Sequence, residues 1–207
     1  MINRLIVLIL ISLLWSCQQQ KLPYLGEPEV VTKEVNGEKV EETIYPTIPD
    51  FSFTNQEGQT ITAKDFNGKV YVADFFFTTC PTICPPMTKN LLKVYNTFKN
   101  NPGVALLSHT IDPEHDSVSV LKEYANGLGV KADKWQFVTG NREEIYNLAQ
   151  KHYLVSAKED SSEAGGYIHS GHFILIDQNK HIRGMYDGTT DKGTAELLKD
   201  IELLLKE

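Results

Sequence analysis

The chain has 207 residues, enough for one domain with a sizeable core and a tail. Apolar residues make up 41% and charged residues 23%, and the formal net charge is -7. No Lys/Arg cluster breaks this mild acidity, which excludes nucleic acid as a partner, because phosphate binding needs a basic stripe.

Arg4 opens the chain with positive charge, and residues 5–15 are almost wholly apolar. That run falls short of the roughly 20 residues of a membrane-spanning helix and has the length of a secretory leader. Ser16-Cys17 follows at once, and Leu14-Trp15-Ser16-Cys17 resembles the lipobox of bacterial lipoproteins. The resemblance implies a signal peptide over residues 1–16, lipidation of Cys17, and an exported chain held on the periplasmic side of a bacterial membrane. Acyl chains anchor by burying methylene groups. An uncleaved N-terminal anchor is the alternative, and both place the remaining cysteines in an oxidising compartment.

Residues 18–26 are polar, contain Pro23, and read as a tether. Over 27–45, Val30, Val31, Val35, Val40 and Ile44 are set among charges, and Asn36-Gly37 lies between the two runs. Asn-Gly supplies the positive φ angles of a tight turn, so a β-hairpin is expected there. Tether and hairpin together make a unit over 17–47, and the main domain takes 48–207. Its first strands are 51–54 and 60–62, followed by an apolar run at 70–77 that reads as a central strand buried on both faces. Asp74 interrupts that run, and a buried carboxylate needs a partner.

A helix is expected over 84–101, with Cys84 at its N-cap, Pro85 in its first turn, and Met87, Leu91, Tyr95 and Phe98 on its buried stripe. A strand at 104–111 precedes a helix capped by Ser117 and ended by Gly129. Residues 135–139 form a strand, and Asn141 caps a helix over 142–152. The polar stretch 156–166, ending in Gly165-Gly166, reads as a mobile loop. Strands at 172–177 and 182–186 form a hairpin around Gln178-Asn179-Lys180, and an amphipathic helix over 194–205 closes the chain. Strand–helix alternation argues an α/β fold with a central mixed sheet flanked by helices. With a terminal antiparallel hairpin and helix, the order resembles a thioredoxin-like fold carrying an N-terminal β-hairpin extension.

Thr79-Cys80-Pro81-Thr82-Ile83-Cys84-Pro85-Pro86-Met87 joins the central strand to its helix. Unsatisfied N–H groups and the positive end of the helix dipole favour thiolates there. Three intervening residues let both sulfurs reach one metal and also permit a disulfide between them. Thiol exchange, metal binding and a structural bridge are all open on spacing alone. Six histidines accompany the pair: His109, His115, His152, His169, His172 and His181. The loop before the last hairpin should face the cysteines across the sheet end, which brings His169 or His172 to them. His109, His115 and His181 read as surface or hairpin residues. Met87 and Met185 read as core first. Two thiolates and one imidazole make a soft donor set suited to Cu(I), whereas structural zinc takes four ligands.

Phe77 to Pro85 resembles the CPxxCP-type motif of the Sco/SenC proteins, and the chain is similar to that family in two further blocks. Thr110-Ile111-Asp112-Pro113-Glu114-His115-Asp116 resembles the second, and His169 falls where the family carries its metal histidine. The resemblance implies a membrane-tethered copper chaperone. Its ligands would be Cys80, Cys84 and His169, holding copper as Cu(I) with Cu(II) also open to it. It implies a Cys80–Cys84 disulfide on oxidation, and a client in cytochrome c oxidase subunit II or another cuproprotein, served by a monomer through copper delivery, thiol reduction or both. The alternative is a thiol-disulfide oxidoreductase or peroxide-reducing enzyme, with Cys80 attacking and Cys84 resolving.

Overall fold

The structure is a computed structural model describing residues 21–162 and 165–207. Cys17 and the leader lie outside the described residues. Two strands, β1 (Glu29–Val35) and β2 (Glu38–Ile44), pair antiparallel from Glu29↔Ile44 to Val35↔Glu38. Asn36 and Gly37 turn the chain with φ of 55° and 83°, as the Asn-Gly signal requires.

The main body is built on a seven-stranded sheet. Its strands are β3 (Ser52–Asn55), β4 (Thr60–Thr62), β5 (Val70–Phe76), β6 (Val104–Thr110) and β7 (Trp135–Thr139), with β10 (His172–Ile176) and β11 (Ile182–Asp187) on the far side. The order across the sheet is β11-β10-β5-β6-β7-β3-β4. β5, β6 and β7 run parallel, and the flanking pairs are antiparallel, so the sheet is mixed. Every residue of β5 and β6 is buried, which accounts for their largely apolar composition.

Four α-helices are described: α1 (Cys84–Phe98), α2 (Val118–Leu128), α3 (Arg142–Asn147), which runs on as a π-helical turn (Leu148–His152), and α4 (Asp191–Leu204). Alternation along β5 shows how they sandwich the sheet. Phe75 packs on Tyr153, just past the π turn, while Phe76 packs on Tyr124 of α2. α1 rests against α4, and α2 against β7. The closing helix begins earlier than periodicity implied, because Thr190 accepts the Gly193 N–H as its cap.

Two expectations need correction. The stretch read as a mobile loop contributes β8 (Ala157–Glu159), which pairs with β9 (Tyr167–His169) as a small separate sheet. Its polar, Gly-rich composition hid the pairing. His109, expected near the surface, is fully buried in β6 among Phe51, Phe53, Phe75 and Tyr153, stacked on Phe75 at 4.9 Å. Neither of its ring nitrogens has a hydrogen-bond partner among the described residues. Burial against apolar rings holds its pKa down at about 3, so the ring is neutral.

Residues 22–25, expected to be part of a tether, are docked onto the body. Leu25 N–H bonds the Ile182 carbonyl. Arg183, 3% exposed, donates to the Pro23 and Leu22 carbonyls and to the carboxylates of Asp177 and Glu207, with Tyr24 across its guanidinium face at 4.4 Å. One buried cation therefore ties both ends of the described chain to β11. Among the described residues no helix is long and apolar enough to cross a membrane.

Candidate metal centre

The centre forms where β5 ends. The Phe77 carbonyl accepts the Cys80 N–H at 3.2 Å, turning the chain back towards α1. Cys84 is the first residue of α1, and Ile83 rather than Cys84 takes the N-cap position, with no capping side chain. The Cys80 sulfur substitutes for one, accepting the Cys84 N–H at 3.5 Å. A helix-start N–H directed at sulfur favours the thiolate.

Asp116 holds the approach to the cysteines. It is fully buried and accepts the Thr78 N–H at 3.1 Å, the Thr78 hydroxyl, and the Thr110 hydroxyl at 2.5 Å. His115 Nδ1 lies 3.1 Å from its other side. The second sequence block thus clamps the first, a role its residue types alone did not disclose.

His169 arrives from the opposite direction on β9, as a strand residue rather than a loop residue. Phe77 meets its ring edge-on at 5.7 Å and meets Tyr167 at 5.1 Å, so the residue before the cysteine turn also seats the imidazole. A Cβ on Gly165 would fall 2.9 Å from the Phe77 ring, and its φ is +94°, so this close approach needs glycine.

The three side chains converge. His169 Nε2 is 3.3 Å from the Cys84 sulfur and 3.8 Å from the Cys80 sulfur, and the three donor atoms lie within 4.8 Å of one another. A trigonal ion with bonds of about 2.3 Å to sulfur and 2.0 Å to nitrogen separates its donors by roughly 3.7–4.0 Å. The two nitrogen–sulfur distances match after shifts of a few tenths of an ångström. Both cysteines are free thiols in this structure, and both are buried. The pair is electrostatically unequal. The hydrogen bond from Cys84 holds Cys80 down at about 3, with help from His169 and the loop amides against burial. The same bond, and burial, push Cys84 far up. The two sulfurs titrate as a pair that shares one proton, with the negative charge favoured on Cys80.

His172 is exposed at the start of β10 and bonds Ser170, outside the cluster. Met87 is buried in the stripe of α1, as expected. Asp74 finds its partner in Ser108, whose hydroxyl donates to it at 2.5 Å while accepting the Trp135 indole N–H at 2.8 Å. Burial raises its pKa to about 7, against the pull of Ser108 and His169. Sequence reasoning left that partner unnamed, since Ser108 lies 34 residues away.

This constellation can be set beside known proteins. The profile of the SCO1/SenC family matches residues 40–206. The chain belongs to that family. A SCO1/SenC family lipoprotein from Bacillus anthracis superposes with a TM-score of 0.71 at 32% identity, covering 77% of this chain and 95% of that one. BsSco is described as a member of the Sco family of cytochrome c oxidase assembly proteins with a disulfide switch. It gives 0.68 at 30% identity over 76% and 92% of the two chains. Copper-bound ScoI of Arabidopsis thaliana gives 0.63 at 25% identity over 76% and 99%. The α/β architecture expected from the element order is that of these Sco structures.

Proposed function

We propose that the chain is a membrane-tethered metallochaperone. It binds Cu(I) through Cys80, Cys84 and His169 and serves assembly of the dinuclear copper centre of cytochrome c oxidase. The observation that carries this reading is the convergence of two sulfurs and one imidazole nitrogen within 4.8 Å. Thiolates are soft donors that select Cu(I), and three donors leave the ion open to an incoming ligand. Copper in the plant relative and oxidase assembly in BsSco point the same way. Copper is cargo here: a client thiol displaces one donor at a time, and Cys80, already ionised, exchanges without first losing a proton. Oxidation to a Cys80–Cys84 disulfide removes both sulfur donors and so releases or refuses the ion.

The tether places this site in the cell. Residues 1–16 leave as a signal peptide, Cys17 carries lipid on the periplasmic side, 17–47 form the tether and hairpin, and 48–207 the working domain of a monomer. The lipoprotein relative supports the lipid anchor. Metabolic labelling with a palmitate analogue tests it: wild type should take up label and Cys17→Ser should not.

A second reading rests on the inequality of the two thiols. An ionised Cys80 beside a protonated Cys84 is the arrangement of an attacking and a resolving cysteine. Reduction of a client disulfide by this pair would prepare the client's cysteines for the metal. Turnover of a disulfide that survives His169→Ala but not Cys80→Ser would separate this activity from copper transfer.

A further inference from the structure

A groove opens beside the two sulfurs and runs away from them between α1 and α2. It encloses about 380 Å³. Cys84, Thr88 and Leu92 form one wall, four residues apart on one face of α1. Tyr124 and Leu128 form the other, also four apart, on α2. The Thr88 and Tyr124 hydroxyls meet across the floor at 2.9 Å and fix the spacing of the two helices there. Pro85 and Lys89 edge the opening, both exposed, and Lys89 is the one cation among the residues lining it.

We infer that this groove receives the client polypeptide next to its reacting cysteine. The inference rests on the client-facing reading of Cys80 and Cys84 above. A thiol that exchanges with Cys80 or Cys84 must arrive with its own chain attached. The groove is continuous with both sulfurs, so chain can lie in it as the thiol arrives. From Cys84 to Leu92 is eight residues, about 12 Å of helix, which an extended peptide covers in three or four residues. Leu92, Tyr124 and Leu128 are partly buried against the core yet still line open space, so an apolar side chain can enter without rearrangement. Lys89 at the edge, with no carboxylate among the lining residues, selects an acidic neighbour. The partner is thus an extended segment with an apolar residue three or four positions from its cysteine and an Asp or Glu beside it.

The test uses the reduced full chain with Cys17→Ser in detergent, where Cys80 and Cys84 are the only thiols. The probes are synthetic Gly/Ser peptides with one cysteine held as a mixed disulfide with nitrothiobenzoate. The Cys80 thiolate attacks the peptide sulfur, and nitrothiobenzoate leaves as the better leaving group. Cys84 then attacks Cys80, closing the protein disulfide and passing its proton to the departing peptide thiol. The protein dithiol is oxidised and the probe reduced, by two electrons. A peptide with Leu four residues from its cysteine, on the side that fits, should react about tenfold faster than one with Gly there. An adjacent Asp should outpace Lys by roughly two- to fivefold. Lys89→Glu, an exposed change that spares the fold, should invert the Asp/Lys preference, and Leu128→Gln should erase the Leu preference. Equal rates for all peptides overturn the groove as docking site. So does a preference seen only on dilution, which would mark a second copy of the chain as the occupant. Cu(I) binding is measured on the same preparation. Binding without peptide preference sinks the groove alone, and preference without Cu(I) binding sinks the copper reading alone.

Discussion

The main-chain N–H of Thr78 donates to Asp116 at 3.1 Å, from a residue 38 positions earlier in the chain. This bond, with those from the Thr78 and Thr110 hydroxyls, ties the end of β5 to the loop after β6 two residues before Cys80. Asp116→Ala would leave the buried Thr110 hydroxyl and the half-buried Thr78 N–H and hydroxyl without their acceptor, at about 1–3 kcal/mol for a buried group and less for a half-buried one, not additively. The expected loss is about 3 kcal/mol in urea unfolding, together with weaker Cu(I) binding as the cysteine turn loosens. Unchanged stability would show that the clamp is dispensable.

The inequality of the thiols predicts an unusual pH profile. Cys80 is ionised well below neutrality, with a pKa near 3. Its rate with iodoacetamide should change by less than about twofold between pH 5 and 8, where an ordinary thiol with a pKa near 8.5 slows about tenfold for each unit of acidification. His169→Ala removes one of the contacts favouring the anion, so the profile of that variant should bend at higher pH.

His109 predicts an acid sensitivity of the fold. Its folded pKa, about 3, lies below the unfolded value of 6.5. The unfolded chain therefore binds the extra proton between those values. Stability is full above about pH 6.5 and is lost as pH falls towards 3, by about 1.4 kcal/mol per unit. Asp74 acts oppositely, since its raised pKa gives stability that is lost as pH climbs from about 4 through 7. The two slopes offset in the wild type, so the comparison must be made with a variant. His109→Phe should match the wild type within about 1 kcal/mol at pH 8 and exceed it by about 2 kcal/mol at pH 5. Equal pH dependence in urea unfolding would rule out the cage as the cause.

Arg183 predicts a coupling between residues 22–25 and the body. Truncating a buried cation leaves Asp177 and the Leu22 and Pro23 carbonyls without their donor. Arg183→Ala should cost about 3–5 kcal/mol, and residues 21–25 should become cleavable by protease before the body unfolds. If cleavage still awaits global unfolding, the Leu25–Ile182 bridge alone holds this segment.

How far these features could be read in the sequence follows from how local each one is. The strand run at 70–77, the Asn36-Gly37 turn and the cysteine spacing are local patterns, and each reappears in the structure. His169 lies 89 residues from Cys80, and only the order of elements suggested that it faces the cysteines. β8 and β9 escaped because a short polar pair stabilised by packing on Phe77 leaves no periodic signal. The Asp74–Ser108–Trp135 chain and the cage around His109 escaped because partners on neighbouring strands are chosen by register, which no single segment encodes.

Copper binding by this chain turns on the three donors, and Cu(I) titration of the full chain carrying Cys17→Ser against a competing chelator tests them most directly. The reduced protein should take up one Cu(I), the Cys80–Cys84 disulfide form none, and His169→Ala should bind at least about tenfold more weakly, a difference of about 1.4 kcal/mol. No uptake by the reduced protein, or uptake that persists when Cys80 and Cys84 are both serine, would contradict it.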